Sequence, residues 1–458
     1  MVQGADKLQP IPVWLGRLRL ELRQLALPLL SGAQRGLLSI AFEVPVRELA
    51  APPAQARIWL YWHQPARSHR LLGLGMAFSQ AAQGAGRFQE LDAAYQKLQA
   101  RWTRITQGSG RAKARAFLGH AFDPAFEAQE CWQGFDSAGL YIPQLLFEWK
   151  NGRCVLTFNY FRDEDTQPEN VISGWIKQLR SALRGDGAMA PAAPAAFLQT
   201  ESPEASTWKS GVAEAIDAMR EGELEKVVLT RQLKLRFPTL VPHRQLLPSL
   251  ARQYPGCTML SVSFGREVLL AATPEKLFDM NAERIHCDAL AGTFPAHICQ
   301  PNAEMEAYEH APVVRAIEKA LEPFCTDLKT DKAARPLSFR SLSHLYTSVV
   351  ARPRPAVRPL QILEALHPTP AVGGMPRSAA LAWIRRHERL SRGWYTGAFG
   401  WLGDNFEAQM SVILRCALIQ GKTARLYAGA GITPVSNPEQ ELQETLLKFA
   451  PMLNAMTR

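Results

Sequence analysis

Ala408-Gln-Met-Ser-Val-Ile-Leu-Arg415-Cys-Ala-Leu-Ile419, then Leu426-Tyr-Ala-Gly429-Ala-Gly431-Ile432, then Ser436-Asn-Pro-Glu-Gln-Glu441-Leu-Gln-Glu444-Thr-Leu-Leu-Lys448 set strands against a helix within one short span. The spacing predicts strands over 394–402, 408–419 and 424–428 in a meander, with Arg415 on a strand. Pro438 suits the first turn of a helix, and Ser436 or Asn437 can cap it. On that helix Glu441, Glu444 and Lys448 share one face, while Leu442, Leu446, Phe449 and Leu453 form a separate apolar stripe. Two carboxylates one turn apart are hard oxygen ligands suited to Mg²⁺, and a lysine one turn on can pair with an anion beside the metal. A Glu/Lys face taken alone is more often a solvated surface, so the rest of the chain decides.

With 458 residues, 47% hydrophobic and 21% charged, the chain is long enough for one large core or two subdomains. Seven cysteines, an odd number with no C-x-x-C pair, predict free thiols in a reducing cytoplasm. The amphipathic start, with Arg17, Arg19, Glu21 and Arg23 among its leucines, is not a signal peptide, and no run reaches membrane-spanning length. A formal charge of +10 is scattered rather than blocked among aromatics, so nucleic acid is not the expected partner. A small anionic substrate accounts for the surplus equally well.

An Ala/Pro/Gly-rich stretch over 184–205 reads as a linker and divides the chain into 1–195 and 196–458. Before it, 37–44, 57–63 and 154–160 have strand character and 88–104 helical character. After it, helices are expected over 207–220 and 304–321, the latter holding Glu306 and Glu309 off a stripe of Val313, Val314, Ile317 and Leu321. The segment 226–237 alternates, with Val227, Leu229, Leu233, Leu235 and Phe237 on one face and Lys226, Thr230 and Gln232 on the other. Strands and helices mixed in this order indicate an α+β fold. No long apolar edge or heptad seam is evident, so a monomer is expected.

Several segments carry a family resemblance. Lys226-Val-Val-Leu-Thr-Arg, Ala272-Thr-Pro-Glu275-Lys-Leu-Phe, Ala289-Leu-Ala-Gly-Thr293, Glu309-His310 followed by Val313, Ser343-His344-Leu345, Leu366-His-Pro-Thr-Pro-Ala-Val-Gly-Gly374, Trp394-Tyr-Thr-Gly-Ala-Phe-Gly400, Arg415-Cys-Ala, and Gly429-Ala-Gly-Ile with Glu444-Thr and Lys448 resemble, in this order, the signature of chorismate-utilising enzymes. Within that family the chain looks most like isochorismate synthases of the menaquinone type. The resemblance is strong over 207–458 and weaker before it, resting there on Tyr61-Trp62, Gly73-Leu-Gly75 and Trp132-Gln-Gly-Phe135. It implies a two-subdomain α/β sandwich of large antiparallel sheets flanked by helices.

The resemblance also implies roles. Ammonia-adding members carry glutamine where this chain has Lys226, and aminodeoxychorismate synthase carries a nucleophilic lysine where this chain has Ala291, so water is the implied nucleophile. Lys226 would be the general base for attack at C2 of chorismate and Glu275 the general acid for the departing 4-hydroxyl. That assignment needs a depressed lysine pKa and a raised carboxyl pKa. Mg²⁺ would be held by Glu309 and Glu444, with Glu441 contributing directly or through water. Arg415 and Lys448 would clamp the enolpyruvyl carboxylate, and the backbone at Gly292, Thr293, Gly429 and Gly431 would approach the anion. His344 would lie near the C4 region, Tyr395 sits in a motif of the synthase, and His367 is expected to be a packed structural histidine.

Departures from the family pattern fall on the loop after Thr293, which lacks the usual arginines and is short, on Val435 and on Leu442. Three readings compete: isochorismate synthase, for menaquinone or with siderophore or salicylate supply as the pathway variant; salicylate synthase, which would also eliminate pyruvate; and a non-catalytic chorismate-binding protein.

Overall fold

The computed structural model describes residues 13–457 apart from 33–34, 47–48, 50, 108–114, 129, 164, 166, 185–196, 296–304 and 340–341. The short loop after Thr293 and most of the expected linker lie outside the described residues.

Two large sheets form the centre. The first has the order Leu198–Ser202, Lys226–Arg236, Thr423–Ile432, Cys416–Gln420, Glu267–Thr273, Thr258–Phe264, Ile58–Gln64, His69–Leu74, Leu145–Lys150, Arg153–Arg162, Gly36–Glu43, Trp102–Gln107. In the second, Cys325–Thr330, Leu342–Pro353, Ile285–Pro295, Lys276–Met280, Ala408–Val412, Ala398–Leu402, Ala116–His120, Ala138–Ile142 and Phe78–Ala82 follow one another. Pairing is antiparallel among the described residues except between Gly36–Glu43 and Trp102–Gln107. Strands from both sides of residue 195 share each sheet, joined by Ile58–Gln64 against Thr258–Phe264 and by Ala116–His120 against Ala398–Leu402.

Side-chain burial defines the layers. Aromatic residues, including Trp62, Phe117, Trp132, Tyr141, Trp394 and Tyr427, fill the space between the sheets. Helices Val13–Leu30, Pro168–Leu183, His243–Gln253 and Pro438–Thr457 cover the outer face of the first sheet. Arg87–Gln99, Ala311–Leu321 and Pro359–Leu366 cover the second. The result is the mixed α+β sandwich with helix-flanked sheets that the sequence predicts.

Local differences have local causes. The helix expected over 88–104 ends at Gln99, and Trp102–Gln107 becomes an edge strand whose Trp102 indole donates to Ser39 at 2.7 Å. Residues 394–397 form a turn, and the strand begins at Ala398. The helix expected over 304–321 opens with a π-turn at Met305–His310. Pro312 has no N–H to offer the Tyr308 carbonyl, so the regular ladder breaks there. On the last helix the buried stripe is Leu442, Thr445, Phe449 and Met452, and Leu446 is exposed. The difference that matters most lies at 408–419. It is two strands in different sheets, and Arg415 sits in the crossing between them with φ 49°, not on a strand.

Candidate active site

The chain crosses between the sheets twice at one place. After Glu267–Thr273 it leaves the first sheet through Pro274 and Glu275 and enters the second at Lys276–Met280. It returns through residues 413–415 to Cys416–Gln420. The crossings are tied together: Val412 N donates to Glu275 O at 3.0 Å, Ala272 N to Arg415 O at 3.2 Å, and Thr273 Oγ1 to Val412 O at 2.6 Å. Glu275 and Arg415 are therefore fixed side by side where the sheets part.

A cavity opens at that point. Its lining includes Lys226, Glu275, Ala291, Gly292, Thr293, Glu309, His344, Tyr395, Arg415, Gly429, Gly431, Glu444 and Lys448, so segments far apart in sequence meet in one chamber. Of the expected site residues Glu441 alone lies outside the lining; it stands one helical turn before Glu444, with Ser436 Oγ donating to its Oε1 at 2.7 Å. His367 is buried away from the lining and hydrogen-bonded through Nε2 to Thr396 O at 2.8 Å, which is a packing role. Sequence reading missed Val228, Pro274, Leu290, Ala371, Val372, Thr396 and Leu414. Apart from the Thr396 hydroxyl they present walls rather than chemical groups, and all but Leu414 lie inside the quoted family motifs.

The two glycines of the last strand have a steric purpose. A Cβ on Gly431 would stand 3.0 Å from Lys226 Cε, and one on Gly429 would meet Leu229 O at 2.8 Å. Glycine thus leaves room for the lysine stem on the paired strand, where Val228 faces Gly431. Lys226 is 3% exposed and donates to the backbone carbonyl of Glu309 at 3.1 Å. Lys448 donates to Gly429 O at 2.8 Å and is ion-paired with Glu444. His344 lies between Thr293 Oγ1 at 3.3 Å and an Arg415 guanidinium nitrogen at 3.4 Å.

Burial separates the proton affinities. It lowers the Lys226 pKa, helped by the Lys448 charge and opposed by Glu309, Glu444 and Glu441. It pushes the Glu275 carboxyl up to about 8, helped by Asp288 and opposed by Arg415. An amine made easier to deprotonate and a carboxyl that keeps its proton near neutrality are a base and an acid facing one chamber. Burial with the Arg415 charge also keeps His344 neutral.

Glu309 and Glu441 are raised by burial and then by the Glu444 charge. Among the described residues no three His, Cys, Asp or Glu side chains converge at ligand distance. Even so, carboxylate oxygens that resist sharing a buried space are a donor set that fits a hard divalent cation, which would offset their repulsion.

One stability consequence follows from Glu275 alone. A carboxyl at about 8 in the fold and 4.5 unfolded takes up a proton on folding, so its contribution falls as pH rises from 4.5 to 8. At pH 7 the cost is roughly 3 kcal/mol. Glu275→Gln should therefore melt above the native protein at pH 8 and converge with it near pH 4.5. A melting series showing the variant equal or lower at pH 8 would contradict this.

Known proteins match along nearly the whole chain. A family described as "Chorismate binding enzyme" matches residues 31–457. The salicylate biosynthesis isochorismate synthase of Pseudomonas aeruginosa is 31% identical over 439 residues, 92% of this chain and 90% of that protein. Isochorismate synthase MenF of Bacillus subtilis is 26% identical over 412 residues, 86% and 87% of the two chains. Among solved structures, MenF, the menaquinone-specific isochorismate synthase from Escherichia coli, superposes with TM-score 0.76 at 25% identity over 96% of this chain and 99% of that one.

Proposed function

This chain belongs to the chorismate-binding enzyme family, and from that premise we propose that it is an isochorismate synthase, adding water at C2 of chorismate and expelling the C4 hydroxyl. The observation that carries the reading is the pairing of Lys226, its pKa lowered, with Glu275, its pKa raised, in one cavity. Ala291 lines the same cavity and offers no competing nucleophile.

In this mechanism Lys226 takes a proton from water as its oxygen bonds to C2. The double bond shifts within the ring, and Glu275 gives its proton to the leaving 4-hydroxyl, which departs as water. Arg415 and Lys448 hold the enolpyruvyl carboxylate, and His344, neutral, can hydrogen-bond near C4. Mg²⁺, held by Glu309, Glu444 and Glu441, would neutralise the ring carboxylate and draw electron density from the ring when bound. The other steps belong to the protein's own side chains.

We take menaquinone supply as the destination of the product, a reading supported by the match to the Escherichia coli enzyme across almost all of both chains. Salicylate supply is the second reading, favoured by the name of the Pseudomonas aeruginosa relative. Incubation with chorismate and Mg²⁺ followed by chromatography tests the activity. Isochorismate as the sole new product is expected. Salicylate with an equivalent of pyruvate would indicate the further lyase, and unchanged chorismate would leave only a binding protein.

A further inference from the structure

The strand that carries Lys226 has a gap along one edge. Its other edge pairs continuously with Thr423–Ile432 from Val227 to Arg236. On the gapped side Lys226 and Val227 pair with Met375 and Gly374, and pairing resumes only at Gln232 opposite Ser202. Val228 N reaches Gly373 O at 2.9 Å, which leaves Val228 O and Thr230 N between the two flanking strands. Backbone groups buried in such a gap need partners. Side chains supply them: Arg392 donates to Val228 O at 2.6 Å, and Glu388 Oε1 accepts from Thr230 N at 2.8 Å.

Arg392 is 5% exposed, and each of its nitrogens is engaged. Nε and one terminal nitrogen grip Glu388 at 2.7 and 2.5 Å. The same terminal nitrogen holds Val228 O, and the other holds Val372 O at 2.9 Å and Thr396 Oγ1 at 3.5 Å. Five acceptors meet the five N–H donors of a guanidinium. The group also lies over the Phe122 ring at 4.3 Å. Val228, Val372 and Thr396 all line the cavity, yet they come from a strand, a loop and a turn with little else in common. Across the ladder from Val228 and Thr230 stand Gly431, which gives Lys226 its room, and Gly429.

We propose that the Glu388–Arg392 pair acts as a surrogate strand and a positioning device, locking two cavity walls, Val372 and Thr396, to the strand that carries Lys226 and so setting where the base meets its substrate. The proposal rests on the isochorismate synthase reading and adds to it two residues that touch no reacting atom. In the proposed mechanism Arg415 and Lys448 hold the substrate from other elements, and the carboxylates of the last helix would do so only through Mg²⁺, so the pair governs the rate more than the affinity.

Arg392→Lys separates positioning from bulk stability. Lysine keeps a cation beside Glu388, but its three donors sit on one nitrogen and cannot span Val228, Val372 and Thr396 together. We expect Arg392→Lys to melt closer to the native protein than Arg392→Met does. Assayed well below its melting temperature, it should still lose about 10²-fold in kcat, the scale of a 1 Å misplacement, with KM within about threefold of native. Native kcat in Arg392→Lys would overturn the proposal. Should neither Arg392 variant fold, Glu388→Gln carries the test, since it retains an acceptor for Thr230 N but gives up the charged fork. About tenfold lower kcat is expected there, and native kcat would again overturn the proposal. The native chain runs beside each variant. If it makes no isochorismate, the parent reading fails and this one with it, whereas an active native chain with unaffected variants overturns the positioning role alone.

Discussion

Glu309→Gln should abolish turnover of chorismate while the protein still folds, and excess chelator should do the same to the native chain. Burial raises the pKa of Glu309 and Glu441, and the Glu444 charge raises both further, opposed at Glu309 by the Lys226 charge. A site of mutually repelling carboxylates would be completed by a cation, and removing one ligand would lower both its charge and its ligand count. The unliganded fold should tolerate the change, because the variant relieves that repulsion. Glu444→Gln should also be inactive; it releases Lys448 from its ion pair, whereas Glu309→Gln removes a charge beside Lys226, so the two variants disturb different cations. Turnover with saturating Mg²⁺, with chelator, and alongside a melting curve checks the expectation. Full activity in excess chelator would contradict it.

Glu275→Gln should lower kcat by roughly 10²–10⁴-fold, the usual worth of one positioned proton donor. In the native protein the rate should rise with pH as Lys226 loses its proton and fall above about 8 as Glu275 loses its own. The glutamine variant should lack the alkaline limb. Affinity for chorismate should change far less, because in the proposed mechanism Arg415 and Lys448 hold the carboxylate while Glu275 acts on the departing hydroxyl. Higher stability at pH 8 combined with lost activity would mark Glu275 as a group kept at a cost to the fold for its chemistry. A variant with near-native kcat would show that the leaving group takes its proton elsewhere.

Much of this site is legible in the sequence because its chemistry is carried by side chains within short motifs. Lys226 opens an alternating strand, Glu275 follows Pro274, and the pair of glycines precedes a capped helix with Glu444 and Lys448 on one face. Legibility ends where a residue's role depends on which sheet it enters. The apolar run 408–419 reads as one strand because periodicity reports a face, not a partner, so the crossing at Arg415 and its left-handed backbone were invisible. The switch from helix to edge strand at Trp102 was missed for the same reason. Glu388 and Arg392 escaped notice because three of their partners are backbone groups of Val228, Thr230 and Val372, which leave no side-chain pattern to read. Leu446 shows the limit on helices: an apolar residue at a compatible spacing was assigned to the core, whereas Thr445, held by Arg231 at 2.8 Å, occupies the buried position.

In the proposed mechanism water, activated by Lys226, adds at C2 while the original 4-hydroxyl leaves. Turnover of unlabelled chorismate in H₂¹⁸O with ammonium present tests it most directly, read by mass spectrometry of the product. Isochorismate carrying one ¹⁸O on its C2 hydroxyl is expected, with little or no aminated product. Unlabelled isochorismate, which would mean that the hydroxyl migrates within the ring, or an aminated chorismate as the main product, would contradict it.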